Sequence, residues 1–259
     1  MAKSVFIDLA GVIYQGDSVI AGSVDAIGRL RAAGIPVRFL TNTTRTPRRL
    51  IAAQLQRMGV AVGQDELFTP ARSACEWLAE RGMRAHLLVH PALVEDFADC
   101  GSVEDGPEDG AEAVVVGDAG DEFSYAALNA AFRKLVSGAP LLALARNRTF
   151  LDADGVLSLD AGAFVSGLEY AARTGAVLLG KPSPDFFATA VASAGCLADE
   201  VTMIGDDAEA DVAGALTAGI GHAVLVRTGK YRVGDETVFS PYPSMVADDL
   251  AAAVNRLLG

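Results

Sequence analysis

Two apolar runs of this 259-residue chain end in carboxylates. Ser4-Val5-Phe6-Ile7 leads into Asp8-Leu9-Ala10-Gly11, and Val201-Thr202-Met203-Ile204 leads into Gly205-Asp206-Asp207, with Asp211 four residues further on. Short apolar runs of this kind read as buried strands. Strands that deliver acids at their carboxyl ends place them on the edge where open α/β sheets do their chemistry. Asp8 is the candidate nucleophile: a strand-end carboxylate beside a cation can attack phosphorus and form an aspartyl-phosphate that water then hydrolyses. Asp206, Asp207 and Asp211 offer the hard oxygen donors that Mg2+ prefers. Asp206, first off the strand, is the better direct ligand, with Asp207 and Asp211 acting further out or through water. Gly-Asp-Asp equally fits an acidic turn at a helix start; it is the pairing of the two strand ends that points to a cation site.

Other residues would serve such a site. Thr41-Asn42 closes the run Val37-Arg38-Phe39-Leu40 and offers a hydroxyl and backbone N–H groups to a phosphoryl oxygen. Lys181, after the run Ala176 to Leu179, would neutralise both the phosphoryl oxygens and Asp8. Arg146, Asn147 and Arg148 follow Leu141 to Leu144; they are candidates for reading a leaving group, and they also fit a solvated basic turn. Asp118, Tyr125 and Tyr14 are weaker candidates for a pocket lining. His86, His90 and His222 show no metal-ligand spacing, and Trp77 reads as packing.

The elements that must position these groups alternate almost throughout. The patterning predicts strands over 4–8, 35–41, 85–89, 113–117, 140–145, 176–179, 201–205 and 222–226. It predicts helices over 23–33, 46–58, 71–81, 91–98, 124–137, 161–173, 184–195, 208–218 and 247–258. Thr46-Pro47 and Ser183-Pro184 read as a capping residue followed by proline at the first helical position. Tyr14 to Asp17 would form a small flap, and the acidic stretch Ser102 to Glu112 a solvated loop. The carboxylate signals lie at opposite ends of the chain, so the first and last parts must share one sheet. The expected division is a core of 1–71 and 179–259 with an inserted domain over 72–178, the site lying between them.

Composition narrows the partners. The chain is 51% apolar with a mean hydropathy of +0.31, enough for a sizeable core. A net charge of −12 disfavours nucleic acid and anionic membrane as partners. No apolar stretch is long enough to span a membrane, and a strand at the very start leaves no room for a signal peptide. Cys75, Cys100 and Cys196 are widely spaced and odd in number. They read as reduced thiols of a cytoplasmic protein, with neither a disulfide framework nor a zinc site.

In this order the signals resemble the four motifs of the haloacid dehalogenase superfamily of phosphohydrolases: Asp8-Leu9-Ala10-Gly11, Thr41-Asn42, Gly180-Lys181-Pro182-Ser183-Pro184, and Gly205 through Asp211. The Thr-Asn and Gly-Lys-Pro-Ser-Pro forms are similar to those of class IIA, the nagD-like and p-nitrophenyl phosphatases. Thr228-Gly229-Lys230-Tyr231-Arg232, Ile204 to Asp207 and Val37 to Asn42 resemble the phospholysine/phosphohistidine/inorganic pyrophosphate phosphatase group and its haloacid-dehalogenase-like relatives. The resemblance implies a Rossmannoid three-layer core with a parallel sheet and an α/β cap of the C2 type. It implies a small phosphorylated substrate and Mg2+, held by Asp8, the Ala10 backbone carbonyl and Asp206. It also suggests a homodimer.

One position departs from the superfamily. Residue 10 usually carries an aspartate that protonates the leaving group and then activates water; here it is alanine. Losing a positioned acid/base costs about 10²–10⁴ in rate. Activity is therefore expected on donors whose leaving groups need little help: pyrophosphate, aryl and acyl phosphates, and N-phosphoryl compounds. Three other readings stand beside this one, one of them a phosphotransferase that would pass the phosphoryl group from the aspartyl-phosphate to an alcohol or amine instead of water. A protein that keeps the fold to bind phosphate or a partner is favoured by Ala10; a dehalogenase would leave the Gly205-Asp206-Asp207 cluster unexplained.

Overall fold

The computed structural model describes residues 2–100, 112–151 and 156–259. In chain order it begins with β1 (Ser4–Asp8), β2 (Tyr14–Gln15), β3 (Ser18–Val19), α1 (Ser23–Ala32), β4 (Val37–Leu40), α2 (Arg48–Arg57) and β5 (Leu67–Phe68). It continues with α3 (Pro70–Arg81), β6 (Arg84–Leu88), β7 (Glu112–Val116), α4 (Tyr125–Val136), β8 (Leu141–Ala143), β9 (Thr149–Leu151) and β10 (Leu157–Leu159). It closes with α5 (Ala161–Ala172), β11 (Ala176–Leu178), α6 (Pro184–Ala194), β12 (Val201–Gly205), α7 (Gly214–Thr217), β13 (His222–Val226), β14 (Met245–Ala247) and α8 (Leu250–Leu258). The contacts divide the chain into two units: Met1–Thr41, Arg49–Phe68 and Lys181–Gly259 form the first, Asn42–Arg48 and Thr69–Gly180 the second.

The first unit is built on a six-stranded parallel sheet in the order β14-β13-β12-β1-β4-β5. Side chains alternate across it, as a strand's two-residue period requires. Val5, Ile7, Val37 and Phe39 pack with α1, α2 and α8 on one face, while Phe6, Leu40 and Met203 pack with Phe186, Phe187 and Val212 on the other. Burial on both faces explains why these strands read as unbroken apolar runs. β1 lies between β12 and β4, with Ile7 opposite both Ile204 and Phe39. The chain leaves β1 toward β4 on one side and returns beside it as β12 on the other. That reversal of direction is where such sheets open a crevice at their carboxyl edge, and Asp8 and Asp206 stand on it.

The second unit has its own parallel sheet, β11-β8-β7-β6, and two apolar clusters of its own. Its sheet is flanked by α3, α4 and α5 and by the helical segment Pro91–Cys100. β9 and β10 form an antiparallel hairpin absent from the predicted elements. The acidic stretch Ser102 to Glu112 lies outside the described residues except for Glu112, which starts β7 and pairs with Arg84 and Lys134.

Four expectations change. Cys75 and Cys100 are joined by a disulfide, with Cα atoms 5.2 Å apart, so the reading of reduced thiols fails. Sequence separation says nothing of spatial approach, and α3 packs against Pro91–Cys100, bringing the two residues together. The helix predicted from 46 begins at Arg48, and its first N–H is taken by the Asp96 carboxylate at 2.9 Å, not by Thr46. Ser183 precedes α6 but makes no side-chain capping bond. The helix predicted over 208–218 opens with a wide π-helical turn, Ala208–Ala213. Tyr14 to Val19 does form a small hairpin of β2 and β3. No described helix is long and apolar enough to cross a membrane.

Candidate active site

Asp8 is the last residue of β1, and its side chain is buried. The next strand ends at Gly205, so Asp206 and Asp207 emerge beside it. Asp207 then turns the chain. Its Oδ1 accepts the backbone N–H groups of Glu209 at 3.1 Å and Ala210 at 2.9 Å, a side-chain cap on the helical turn that carries Asp211. The turn folds Asp211 back onto the strand end, where its Oδ2 accepts the Asp207 N–H at 3.1 Å. A Cβ at residue 205 would collide with the Asp211 carboxylate, so glycine at the strand end is what admits Asp211 to the site. Asp207, expected from sequence to act further out or through water, caps this turn and pairs with Lys230 at 3.0 Å.

Asp8, Asp206 and Asp211 each bring a carboxylate oxygen within 4.8 Å of the others, and all three are buried. Lys181 enters from the segment after Gly180; its neighbour Pro182 lies against Gly214, where any side chain would collide with it. The buried ammonium bonds Asp8 Oδ1 and reaches Asp211 Oδ1 at 2.6 Å. The charges do not balance. Four carboxylates (Asp8, Asp206, Asp207, Asp211) face two ammoniums (Lys181, Lys230), leaving a deficit of two positive charges. Hard oxygens with that deficit fit one divalent cation.

The acidities register the same shortage. Burial, then the neighbouring Asp211, pushes the Asp206 carboxyl up to about 6. Burial raises Asp8 as well, against the opposing pull of Lys181. Burial works against the charge of Lys181, but Asp211 and Asp8 outweigh it and raise its pKa. The lysine therefore stays an ammonium beside the two carboxylates. Tyr14, on β2, is pushed up to about 12 by burial and then by Asp8.

Of the other candidates, Thr41 follows β4, is buried, and donates its N–H to the Phe68 carbonyl at 3.1 Å. Asn42 belongs to the second unit, where its Oδ1 lies close against Gly180. Arg146 is exposed and paired with Glu169 at 2.6 Å, and the Asn147 carbonyl accepts the Gly162 N–H at 3.0 Å. Asp118 is buried and pairs with Arg45 through both oxygens. Tyr125 is exposed. Ala10 is exposed just beyond Asp8 and forms a bridge with Tyr14. Thr228 and Lys230 reach the site from the end of β13, and their role was not apparent in the sequence. The signals available were the Thr228-Gly229-Lys230-Tyr231-Arg232 stretch itself, which carries part of the family resemblance, and its place just after a predicted strand.

A parallel-sheet unit with strand-end acids, a buried lysine and a separate α/β unit defines a class, and comparison with known proteins gives the same class. Family profiles described as haloacid dehalogenase-like hydrolase and HAD-hydrolase-like match residues 5–102 and 178–253. The chain belongs to the haloacid dehalogenase-like hydrolases and is a phosphatase of that family, with a Rossmannoid core and an inserted α/β cap. It is 41% identical to the phospholysine phosphohistidine inorganic pyrophosphate phosphatase of Xenopus laevis, over 99% of this chain and 94% of that protein. It is 39% identical to haloacid dehalogenase-like hydrolase domain-containing protein 2 of Bos taurus, over 99% of this chain and 96% of that one. Among solved structures, the 4-nitrophenylphosphatase of Thermotoga maritima superimposes with a TM-score of 0.87 at 26% identity, covering 98% of this chain and 97% of that one.

Proposed function

We propose that the protein is a Mg2+-dependent phosphohydrolase that acts through an aspartyl-phosphate at Asp8 on activated phosphoryl donors: pyrophosphate, or aryl, acyl or N-phosphoryl compounds. The observation that carries this reading is the cluster of three buried carboxylates, within 4.8 Å of one another and only partly neutralised by Lys181. The relatives' names point the same way, to phospholysine, phosphohistidine, pyrophosphate and 4-nitrophenyl phosphate. The ion would be held by Asp8, the Ala10 carbonyl and Asp206, with Asp211 acting through water. When bound, Mg2+ would supply positive charge that offsets the carboxylates and polarises the phosphoryl group.

The protein's own groups would do the rest. Lys181 holds Asp8 Oδ1, which orients the carboxylate and leaves Oδ2 to attack phosphorus. The bond from phosphorus to the leaving group breaks as the Asp8–phosphorus bond forms, and the leaving group departs with the bonding electrons. Lys181, Thr41 and Asn42 are assigned to the phosphoryl oxygens, where donors aimed at developing charge have the largest effect. Arg146 and Asn147 are assigned to the leaving group; Arg146 would exchange Glu169 for substrate. Water then attacks phosphorus, releases phosphate and restores Asp8. Ala10 can neither protonate the leaving group nor take a proton from that water, which is why the substrate class is restricted.

The test is phosphate release with and without Mg2+, for the wild type and Asp8→Asn. The panel is p-nitrophenyl phosphate, pyrophosphate, acetyl phosphate, phosphohistidine, phospholysine and two sugar phosphates. Turnover confined to the activated donors, lost on chelation and in Asp8→Asn, is the expected result. Ala10 favours a second reading, a phosphate- or partner-binding protein that has lost its chemistry. Mg2+-dependent phosphate binding with no turnover across the panel would establish that reading in place of the first.

A further inference from the structure

We infer that Thr228–Lys230 is a positioning strap that sets the geometry of the cation's ligands, an assignment that rests on the proposed ligand set of Asp8, the Ala10 carbonyl and Asp206. The strap leaves the carboxyl end of β13, the strand beside β12. It touches both ligand-bearing loops. The Thr228 hydroxyl donates to the Gly11 carbonyl. The Lys230 N–H donates to Asp206 Oδ2 at 2.7 Å, which orients that carboxylate. The Lys230 ammonium holds Asp207 Oδ2 at 3.0 Å, and Asp207 in turn caps the helical turn that carries Asp211.

Between these bonds the two backbones meet without side chains. Gly11 and Gly229 have φ of +87° and +59°. A Cβ on Gly229 would stand 2.6 Å from the Gly11 Cα and would run into the Asp206 carboxylate. The pairing of two left-handed glycines is therefore what lets the strap lie directly over that carboxylate.

The strap also bears on Ala10. The Gly11 N–H donates to the Tyr14 carbonyl at 2.6 Å. The Ala10–Gly11 peptide is trans, so the Ala10 carbonyl points away from that bond. Tyr14 holds the Ala10–Gly11 peptide through its N–H, and Thr228 holds the next peptide through the Gly11 carbonyl, so the turn that presents the Ala10 carbonyl is pinned on both sides of Gly11. The geometry fixes one carbonyl ligand and one carboxylate ligand at once, and it needs no side chain at residue 10. Partners of this kind, which hold metal ligands without touching the metal, are worth about 10- to 100-fold in affinity.

The experiment is a Mn2+ titration in which free ion is read by electron paramagnetic resonance, on the full chain, for wild type, Thr228→Val, Thr228→Ser, Lys230→Met and Asp206→Asn. Thermal midpoints are measured alongside. Thr228→Val, which keeps the shape and loses the hydroxyl, should bind Mn2+ about 10- to 100-fold more weakly, and Thr228→Ser should recover most of the loss. Lys230→Met, which keeps the backbone N–H and frees Asp207, should also weaken binding. Mn2+ affinity in Thr228→Val and Lys230→Met within about twofold of wild type would overturn the inference, as would a serine variant as impaired as the valine. Should the valine variant not fold, Lys230→Met decides alone, since its side chain is exposed. Wild type without Mn2+ binding, or Asp206→Asn with undiminished binding, would mean that the ligand set itself is wrong. Loss in Asp206→Asn with none in the strap variants would sink the strap alone.

Discussion

Ala10 is the residue that most constrains the chemistry. It lies exposed just beyond the buried Asp8, and nothing in its side chain can move a proton. Supplying the acid with Ala10→Asp should raise turnover of sugar phosphates by up to about 10²–10⁴, with a smaller gain on pyrophosphate or p-nitrophenyl phosphate. Steady-state rates on both classes check this, and an equal gain on both would show that leaving-group protonation is not what limits the enzyme. Lys181 makes a different kind of prediction. It stands between two buried carboxylates, and Lys181→Met would leave both without their cation. Removing one partner of a buried ion pair costs about 3–5 kcal/mol, so the variant should unfold at markedly lower denaturant than wild type. Added Mg2+ should return part of that loss.

Among the elements, the turn from β12 to α7 and the packing of α3 on Pro91–Cys100 have the clearest consequences. The first works because Gly205 has no side chain and Asp207 caps the helical turn, so Asp211 is folded back onto its own strand. Asp207→Ala should lower helix and site stability together, by about 1 kcal/mol for the lost cap. A larger loss of Mn2+ affinity than in Asp207→Asn, which can still cap, would separate the two effects. The second is joined covalently by Cys75 and Cys100, 25 residues apart in sequence. Closing a loop of that size stabilises by about 3 kcal/mol on the chain-entropy account. Cys75→Ser, or treatment with a dithiol, should lower the midpoint of unfolding accordingly, and a mass increase of two protons on reduction would show that the bond is present to be broken.

For the molecule taken whole, the uncompensated acids link cation binding, stability and pH. Asp206 is pushed up to about 6 from its ordinary value of 3.8, because burial and then Asp211 disfavour its charge. A carboxyl whose folded pKa is raised contributes full stability below its unfolded value and loses it as pH rises through the folded one. Chelated protein should therefore lose stability between about pH 4 and 6, by roughly 1.4 kcal/mol per pH unit for each such group. A divalent cation competes with those protons. Its stabilisation, which grows with occupancy, should be larger at pH 7.5 than at pH 5. Thermal midpoints in chelator and in Mg2+ at the two pH values measure the difference; equal gains at both would remove the cluster as the site of binding.

Strands buried on both faces of a sheet announce themselves, because apolar residues dominate both faces of the run even where Arg38 in β4 and Thr202 in β12 interrupt it. Hence β1, β4, β12 and β13 and the acids at their ends were legible in the chain alone, and with them the parallel sheet and the family resemblance. The hairpin of β9 and β10 was not, since β10 is largely exposed and neither three-residue strand makes an extended apolar run. Pairings that depend on approach through space were equally hidden. Cys75 with Cys100, Arg146 with Glu169, Arg48 with Asp96, Thr228 with Gly11 and Lys230 with Asp206 are each separated by 20 residues or more. Local patterning records which face of an element is buried. Which side chains then meet is settled by how the elements pack, and that depends on the whole chain at once.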